Sequence, residues 1–187
     1  MEKFNNKYRI PSARLQNWDY GTNAMYFITV CTQNREHYFG EIENNIMQLS
    51  HTGILANVFW HEIPNHAPNV SLGAFVVMPN HVHGILILER VVETRGYIPE
   101  QPATGQQQFQ NQGKNTVSSI VGSYKSAVTK HANRLGLQNG WQPRFHDHII
   151  RNDDSFLEIS NYIINNPSNW QEDQFYKTEL SERETHR

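Results

Sequence analysis

The chain predicts an α+β fold, with elements in the order βαββαβ followed by one more helix. Three observations carry that expectation. Stretches rich in β-branched and aromatic residues alternate with stretches whose apolar residues recur at helical spacing. Two of the strand-like stretches are separated only by "PN", which calls for an antiparallel hairpin. Proline or glycine stands near the end of each helical pattern. The expected product is an antiparallel sheet with helices packed on one face.

The first strand is "AMYFITVCTQ", Ala24 to Gln33. "NREHYFGEIENN" follows and reads as a polar connection. Ser50 or Thr52 can cap a helix through "ILANVFWHEIP", with Ile54, Leu55, Val58 and Phe59 on one face and Pro64 as the stop. "NVSLGAFVVMP" is the second strand and "HVHGILILE" the third. Both faces of the third are apolar, so it is expected at the centre of the sheet. From Val91 to Asn115 the pattern vanishes into a Gln-rich stretch with two prolines, expected to be a mobile polar loop. "TVSSIVGSYKSAVTKHANRLG" restores helical spacing through Val117, Ile120, Val121, Tyr124 and Val128, with Gly136 near its stop. "PRFHDHIIRN" is the fourth strand. "DDSFLEISNYIINNP" is the last helix, with acids in its first turn and Phe156, Leu157, Ile159, Ile163 and Ile164 expected toward the core. Residues 171–187 read as a polar, acidic tail, and residues 1–187 as a single domain.

Composition narrows the function classes. Apolar residues make up 37% and aromatics 11% of 187 residues, which is globular rather than disordered composition. Cys31 is the one cysteine, so an internal disulfide and a Cys-rich zinc site are excluded, and a reducing cytoplasm is the expected location. No apolar stretch is long enough to span a membrane, and the N-terminal stretch is not expected to act as a signal peptide. The formal net charge is −2, although a duplex-DNA binder is usually basic. The charge is uneven: Lys114 to Arg151 holds six Lys or Arg and one acid, Asp147, whereas Asn152 to Arg187 holds eight acids and three basic residues. A basic stretch of this kind can hold phosphates without making the whole chain basic.

Two histidines open the third strand. His81 and His83 stand at i and i+2, so they share a face of the sheet and lie about 7 Å apart at Cα. Two imidazoles so placed can converge on one metal ion, and on a central strand both need a partner. His146 and His148 form a rival pair in "HDH", with Asp147 facing the other way, and spacing alone does not choose between the pairs. On the last helix, Tyr162 and Asn166 are four residues apart and share a face, as do Asn161 and Asn165. Asn is a neutral oxygen ligand for a hard cation and Tyr can be a covalent nucleophile. Read alone, the helix fits a half-buried core tyrosine and a capping asparagine as well.

The stretches "FITVCTQNREHYFG", "VVMPNHVHGILIL", "SYKSAVTKHANRL" and "WQPRFHDHIIRNDDSFLEISNYIINNPSNW", in this order, resemble the REP-associated tyrosine transposases, a group within the single-tyrosine HUH transposases. The resemblance covers about residues 8 to 170. It implies a ferredoxin-like βαββαβ sheet with a C-terminal tyrosine-bearing helix. It implies that His81 and His83 are metal ligands, that Tyr162 is the nucleophile, and that Asn166 is the third ligand. His148 matches a family histidine, here expected to support the site, while His146 falls at a variable position. The Gln-rich 91–115 stretch and the slight net acidity depart from the family.

The activity implied is transesterification at a DNA phosphodiester: a metal-dependent endonuclease and strand transferase acting beside DNA hairpins through a 5′-phosphotyrosine. The neutral N, N, O ligand set suits Mg²⁺ or Mn²⁺, with zinc possible in a preparation. The expected partner is single-stranded DNA with hairpins, with no membrane, and the chain is expected to be a monomer or a homodimer. Arg14, Lys125, Lys130, Arg134, Arg144 and Arg151 are candidate phosphate contacts, and Trp18 and Tyr20 candidate stacking residues. Two other readings stand beside this one: a catalytically inactive nucleic-acid-binding protein on the same scaffold, and a phosphodiesterase that uses water. Tyr124 is the rival phenol.

Overall fold

A computed structural model describes residues 24–89 and 116–176, and the short paired strands β1 (Lys3–Phe4) and β2 (Lys7–Tyr8). The chain then runs β3 (Ala24–Cys31), β4 (Gly40–Glu43), β5 (Ile46–Leu49), α1 (His51–His61), α2 (Ile63–His66), β6 (Val70–Met78), β7 (His81–Leu88), α3 (Val117–Arg134), β8 (His146–Ile150) and α4 (Asp153–Asn165). The expected mobile loop at 91–115 lies outside the described residues, as do Arg14, Trp18, Tyr20 and residues 177–187.

Four strands make the main sheet, in the order β6-β7-β3-β8, every pair antiparallel. Counted by the sequence-predicted strands, the order is second, third, first, fourth, which is the ferredoxin-like arrangement. The expected third strand is therefore central, as its two apolar faces require.

The helices divide between the faces. α1 and α3 cover one face, where Tyr26, Ile28, Val30, Val82, Leu86 and Ile149 meet Ala56, Trp60, Val117, Ile120, Val121 and Val128. α4 lies on the opposite face, where Ile163, with Phe156 and Ile159, packs on Ile85, Ile150 and Ile87. Of the two cap candidates for the first helix, Ser50 is the one used, and Thr116 and Asn152 cap α3 and α4. Ser50 accepts from the Gly53 amide, Thr116 from Ser119 and Asn152 from Ser155, each satisfying a helix-end donor.

Three expectations are corrected. "NREHYFGEIENN" is not a plain connection: it contributes β4, and with β5 forms a hairpin through Asn44 and Asn45. Both asparagines have positive φ, 51° and 64°, the primed-turn geometry that two-residue hairpins favour. On α4, Leu157 and Ile164 face outward, 62% and 64% exposed, because the helix offers the sheet only a narrow stripe. Finally, the start of the expected tail is held in place. Asn166–Glu172 forms a 3₁₀ turn, and Trp170 and Phe175 are buried against Cys31 and Met78. Among the described residues no helix is long and apolar enough to cross a membrane.

Candidate active site at the histidine strand

β7 begins immediately after the two-residue Pro79–Asn80 turn, and that turn sets the register. Met78 pairs with His81 and Val76 with His83. On the other side, His81 pairs with Cys31 and His83 with Thr29. Both histidines are thereby fixed on the face that α4 covers, and both are essentially without solvent exposure. Their rings lie 4.4 Å apart between centroids.

Hydrogen bonding decides which nitrogen of His81 is free. Asn80 donates its Nδ2 to the Phe175 carbonyl, 3.0 Å. Its Oδ1, which can only accept, lies 2.9 Å from His81 Nδ1. His81 must therefore donate from Nδ1, and its Nε2 keeps the lone pair. That Nε2 is buried and has no hydrogen-bond partner among the described residues. His83 is held by Thr29 Oγ1, 2.8 Å from its Nδ1, and turns Nε2 toward α4.

α4 supplies the other half of the site. Its helical spacing places Tyr162 and Asn166 on one side and buries Ile163 beside them. The Tyr162 hydroxyl lies 3.4 Å from His83 Nε2, and its ring meets Phe27 edge-on. Asn166 is 2% exposed, and its Oδ1 is buried and unpartnered. Beyond the 3₁₀ turn the chain returns with Asp173. Its Oδ2 accepts from Asn166 Nδ2 at 2.9 Å and lies 3.4 Å from the Tyr162 hydroxyl, while its Oδ1 accepts from the Phe175 amide at 2.7 Å. Ligand atoms of His81, His83 and Asp173 all lie within 4.8 Å of one another, so this group can hold a metal ion. An open cleft of about 610 Å³ is lined by Thr29, His83, Tyr162, Asn166 and Asp173.

Charge follows burial. Removal from water holds the His81 imidazolium well below its ordinary range, reinforced by His83 and Arg35. Burial lowers His83 to about 4, against the opposing pull of the Asp173 carboxylate. Both imidazoles are therefore neutral at pH 7, the form that binds metals. The Tyr162 phenol is pushed up, first by burial and then by the negative charge of Asp173, so at rest it keeps its proton.

The sequence-derived candidates thus divide. His81, His83, Tyr162 and Asn166 come together. His146 and His148 share their face of the sheet but stand on β8, paired with Thr29 and Phe27, two strands from His83. Lys125, Lys130 and Arg134 lie on α3, across the sheet from the histidines. The Lys125 ammonium is half-buried and donates to the Gln142 and Pro143 carbonyls. Arg144 and Arg151 are exposed at either end of β8. The rival phenol of Tyr124 is buried in the opposite core and donates to the Ala56 carbonyl. Three site residues carried no assigned role in the sequence reading. Asn80 stood inside the quoted "MPNHVHG" motif, and Thr29 would follow from strand register. Asp173 sat unmarked among the acids of the expected tail.

No family model matches the chain. An uncharacterized protein of Haemophilus influenzae is 39% identical over 166 residues, 88% of this chain and 92% of its own length. Among solved structures, that of a REP-associated tyrosine transposase bound to a REP hairpin superposes with a TM-score of 0.56 at 24% identity, over 85% of this chain and 74% of the other. At that identity the likeness establishes the fold, which is the one that the motifs implied. The chain belongs to one family with the Haemophilus influenzae protein, and it is folded as the REP-associated tyrosine transposase is.

Proposed function

We propose that the protein is a metal-dependent single-strand DNA endonuclease and strand transferase, with Tyr162 as nucleophile and His81 and His83 as metal ligands. The observation that carries this reading is the meeting of the Tyr162 hydroxyl with His83, beside the unpartnered Nε2 of His81. A buried acceptor without a partner is costly, and a cation is the partner that two neutral imidazoles would take. Asn166 Oδ1, beside the histidines, is another buried atom without a partner among the described residues, and it and the Asp173 carboxylate are the candidate oxygen ligands. Such a mixed N and O set suits Mg²⁺ or Mn²⁺. When bound, the ion would polarise the scissile phosphate and offset the charge of the transition state.

The chain's own groups account for the rest. The Tyr162 oxygen forms a bond to phosphorus as the bond from phosphorus to the 3′ oxygen breaks. The products are a 5′-phosphotyrosine and a free 3′-hydroxyl. One ester replaces another, so no external energy source enters. Asp173 Oδ2, 3.4 Å from the hydroxyl, is the nearest carboxylate to receive the tyrosine proton. The half-exposed position of Tyr162 leaves room for an approaching strand. The hairpin bound by the structurally similar transposase supports hairpin-bearing single strands as the substrate class.

The test is incubation with hairpin-bearing single-stranded DNA and Mn²⁺, followed by denaturing electrophoresis. The wild type should give a protein–DNA band that survives denaturant, and Tyr162→Phe should give none. Tyr162→Phe removes a long hydrogen bond at a half-exposed site, so stability should fall by no more than about 1.5 kcal/mol. Hairpin binding without any adduct in the wild type would leave the non-catalytic reading in its place.

A further inference from the structure

Asn80 is wholly buried between the two halves of the site and takes no part in the chemistry proposed above. Its backbone is tied down. Its carbonyl accepts from the Thr32 amide at 2.9 Å, and the neighbouring Pro79 carbonyl accepts from the Phe39 amide at 3.1 Å. Its side chain links the start of β7 to the returning 166–176 segment. A chain of hydrogen bonds follows: His81 to Asn80 at 2.9 Å, Asn80 to Phe175 at 3.0 Å, Phe175 to Asp173 at 2.7 Å, and Asn166 to Asp173 at 2.9 Å.

Every link has a direction, and the directions start from the Phe175 peptide groups. The Phe175 carbonyl can only accept, so Asn80 presents Nδ2 to it and Oδ1 to His81. His81 then donates from Nδ1 and keeps its lone pair on Nε2. The Phe175 amide can only donate, and the Asp173 carboxylate meets it as an acceptor. The other oxygen of Asp173 takes Nδ2 of Asn166, which leaves Asn166 Oδ1 free. The two acceptors at this site without a partner among the described residues, His81 Nε2 and Asn166 Oδ1, are thus both dictated by one relay. Its origin is held in place. Phe175 is buried, its ring 4.6 Å from that of His81 between centroids, with the Arg35 guanidinium 4.1 Å from its centre.

We propose that Asn80 is a positioning residue for the metal site. It locks His81 as the Nδ1–H tautomer and, through the Phe175 carbonyl, holds the return segment where Asp173 orients Asn166. The inference rests on the reading of His81 as a metal ligand with oxygen ligands from Asn166 or Asp173. Supporting hydrogen bonds of this kind fix the tautomer and orientation of a ligating histidine. Loss of one side-chain amide should therefore disturb both the strand side and the helix side of the site, although Asn80 touches Asn166 only through Phe175 and Asp173.

The experiment uses the metal-free full chain, ¹⁵N-labelled in its histidine and asparagine side chains. Long-range ¹H–¹⁵N spectra at pH 7 report which nitrogen of His81 carries the proton. Hydrogen exchange of the Asn166 side-chain amide reports the far end of the relay. The wild type should show His81 protonated on Nδ1 and a slowly exchanging Asn166 amide. Asn80→Leu, close in volume but without polar atoms, should release His81 to a mixture of tautomers and speed Asn166 exchange. Its affinity for Mn²⁺, read by calorimetry, should fall about 10- to 100-fold. Thr29→Val removes the hydroxyl beside His83 instead, and should leave the His81 tautomer and the Asn166 amide as in the wild type. A wild type with the His81 proton on Nε2 overturns the proposal, whether or not the leucine variant folds. An Asn80→Leu protein that keeps the wild-type tautomer and Mn²⁺ affinity overturns it too. So does a Thr29→Val protein that loses the His81 tautomer, since general loosening of the strand would then suffice. A tautomer that is present in the wild type and released in Asn80→Leu, with no Mn²⁺ bound by either protein, upholds the positioning role and overturns the metal reading instead.

Discussion

His83 joins the two halves of the site. Thr29, Tyr162 and the rings of Phe27, His81 and Phe175 all meet it. Its imidazolium is held near 4, against about 6.5 in an unfolded chain. Between those values the unfolded chain binds more protons, so the contribution to stability is complete above pH 6.5 and is lost as pH falls toward 4. In metal-free protein the loss attributable to this residue should be roughly 3 kcal/mol. Urea unfolding from pH 7 to pH 4 should therefore be less steeply pH-dependent in His83→Gln than in the wild type, the carboxylates being common to both. Asp173 gives a second test at this scale. If the carboxylate is the oxygen ligand, Asp173→Asn should weaken Mn²⁺ binding, read by calorimetry, by tenfold or more on the order of one lost charged ligand contact. If Asn166 is the ligand, Asn166→Ala should do so instead. Strand and helix periods put His81 beside His83 and Tyr162 beside Asn166, but they did the same for His146 and His148, and it was the motif resemblance that singled out the first set. Asp173 was not legible, since nothing in "QEDQFY" marks which acid a 3₁₀ turn will carry back to the sheet.

Among the elements, β7 is the most constrained. One of its faces presents His81 and His83, and the other must admit Trp60. Gly84 makes that possible: a Cβ there would run into the Trp60 indole. Trp60 is itself stacked on Phe75 and edge-on to Tyr124, so it has no room to retreat. Gly84→Ala should cost about 1–3 kcal/mol, the usual price of overpacking, and should alter tryptophan fluorescence. Denaturant unfolding of the variant checks the first and its native emission spectrum the second. The β6–β7 hairpin and the central place of β7 were readable because "PN" leaves only a hairpin and both faces of β7 are apolar, whereas the full ferredoxin-like order was implied by the resemblance. The β4–β5 hairpin was missed for the converse reason. Its strands are four residues each and carry Glu41, Glu43 and Gln48, so the pattern is weak, and Asn44–Asn45 is a less familiar turn than Asn-Gly. Leu157 and Ile164 were misplaced because helical spacing gives a face but not its width.

At the scale of the molecule, metal and fold should be linked. A cation that binds only the folded chain adds about 2.7 kcal/mol at a hundred times its Kd. Mn²⁺ should therefore raise the melting temperature in a concentration-dependent way, chelator should reverse the rise, and His81→Ala should show none of it. The rise is read by circular dichroism and needs no substrate. A broader consequence follows from the way α4 sits. One face of the sheet carries the larger buried cluster, beneath α1 and α3. The opposite face is covered by α4 and the 166–176 segment except along β8, where His146 and His148 are exposed beside the cleft. Substitutions at the exposed His146 and His148 therefore meet little of the buried packing that punishes change at Val82 or Leu86. Descendants of this chain can change the exposed residues of that edge while inheriting the same scaffold, so sequence drift should concentrate on β8 far more than on β7.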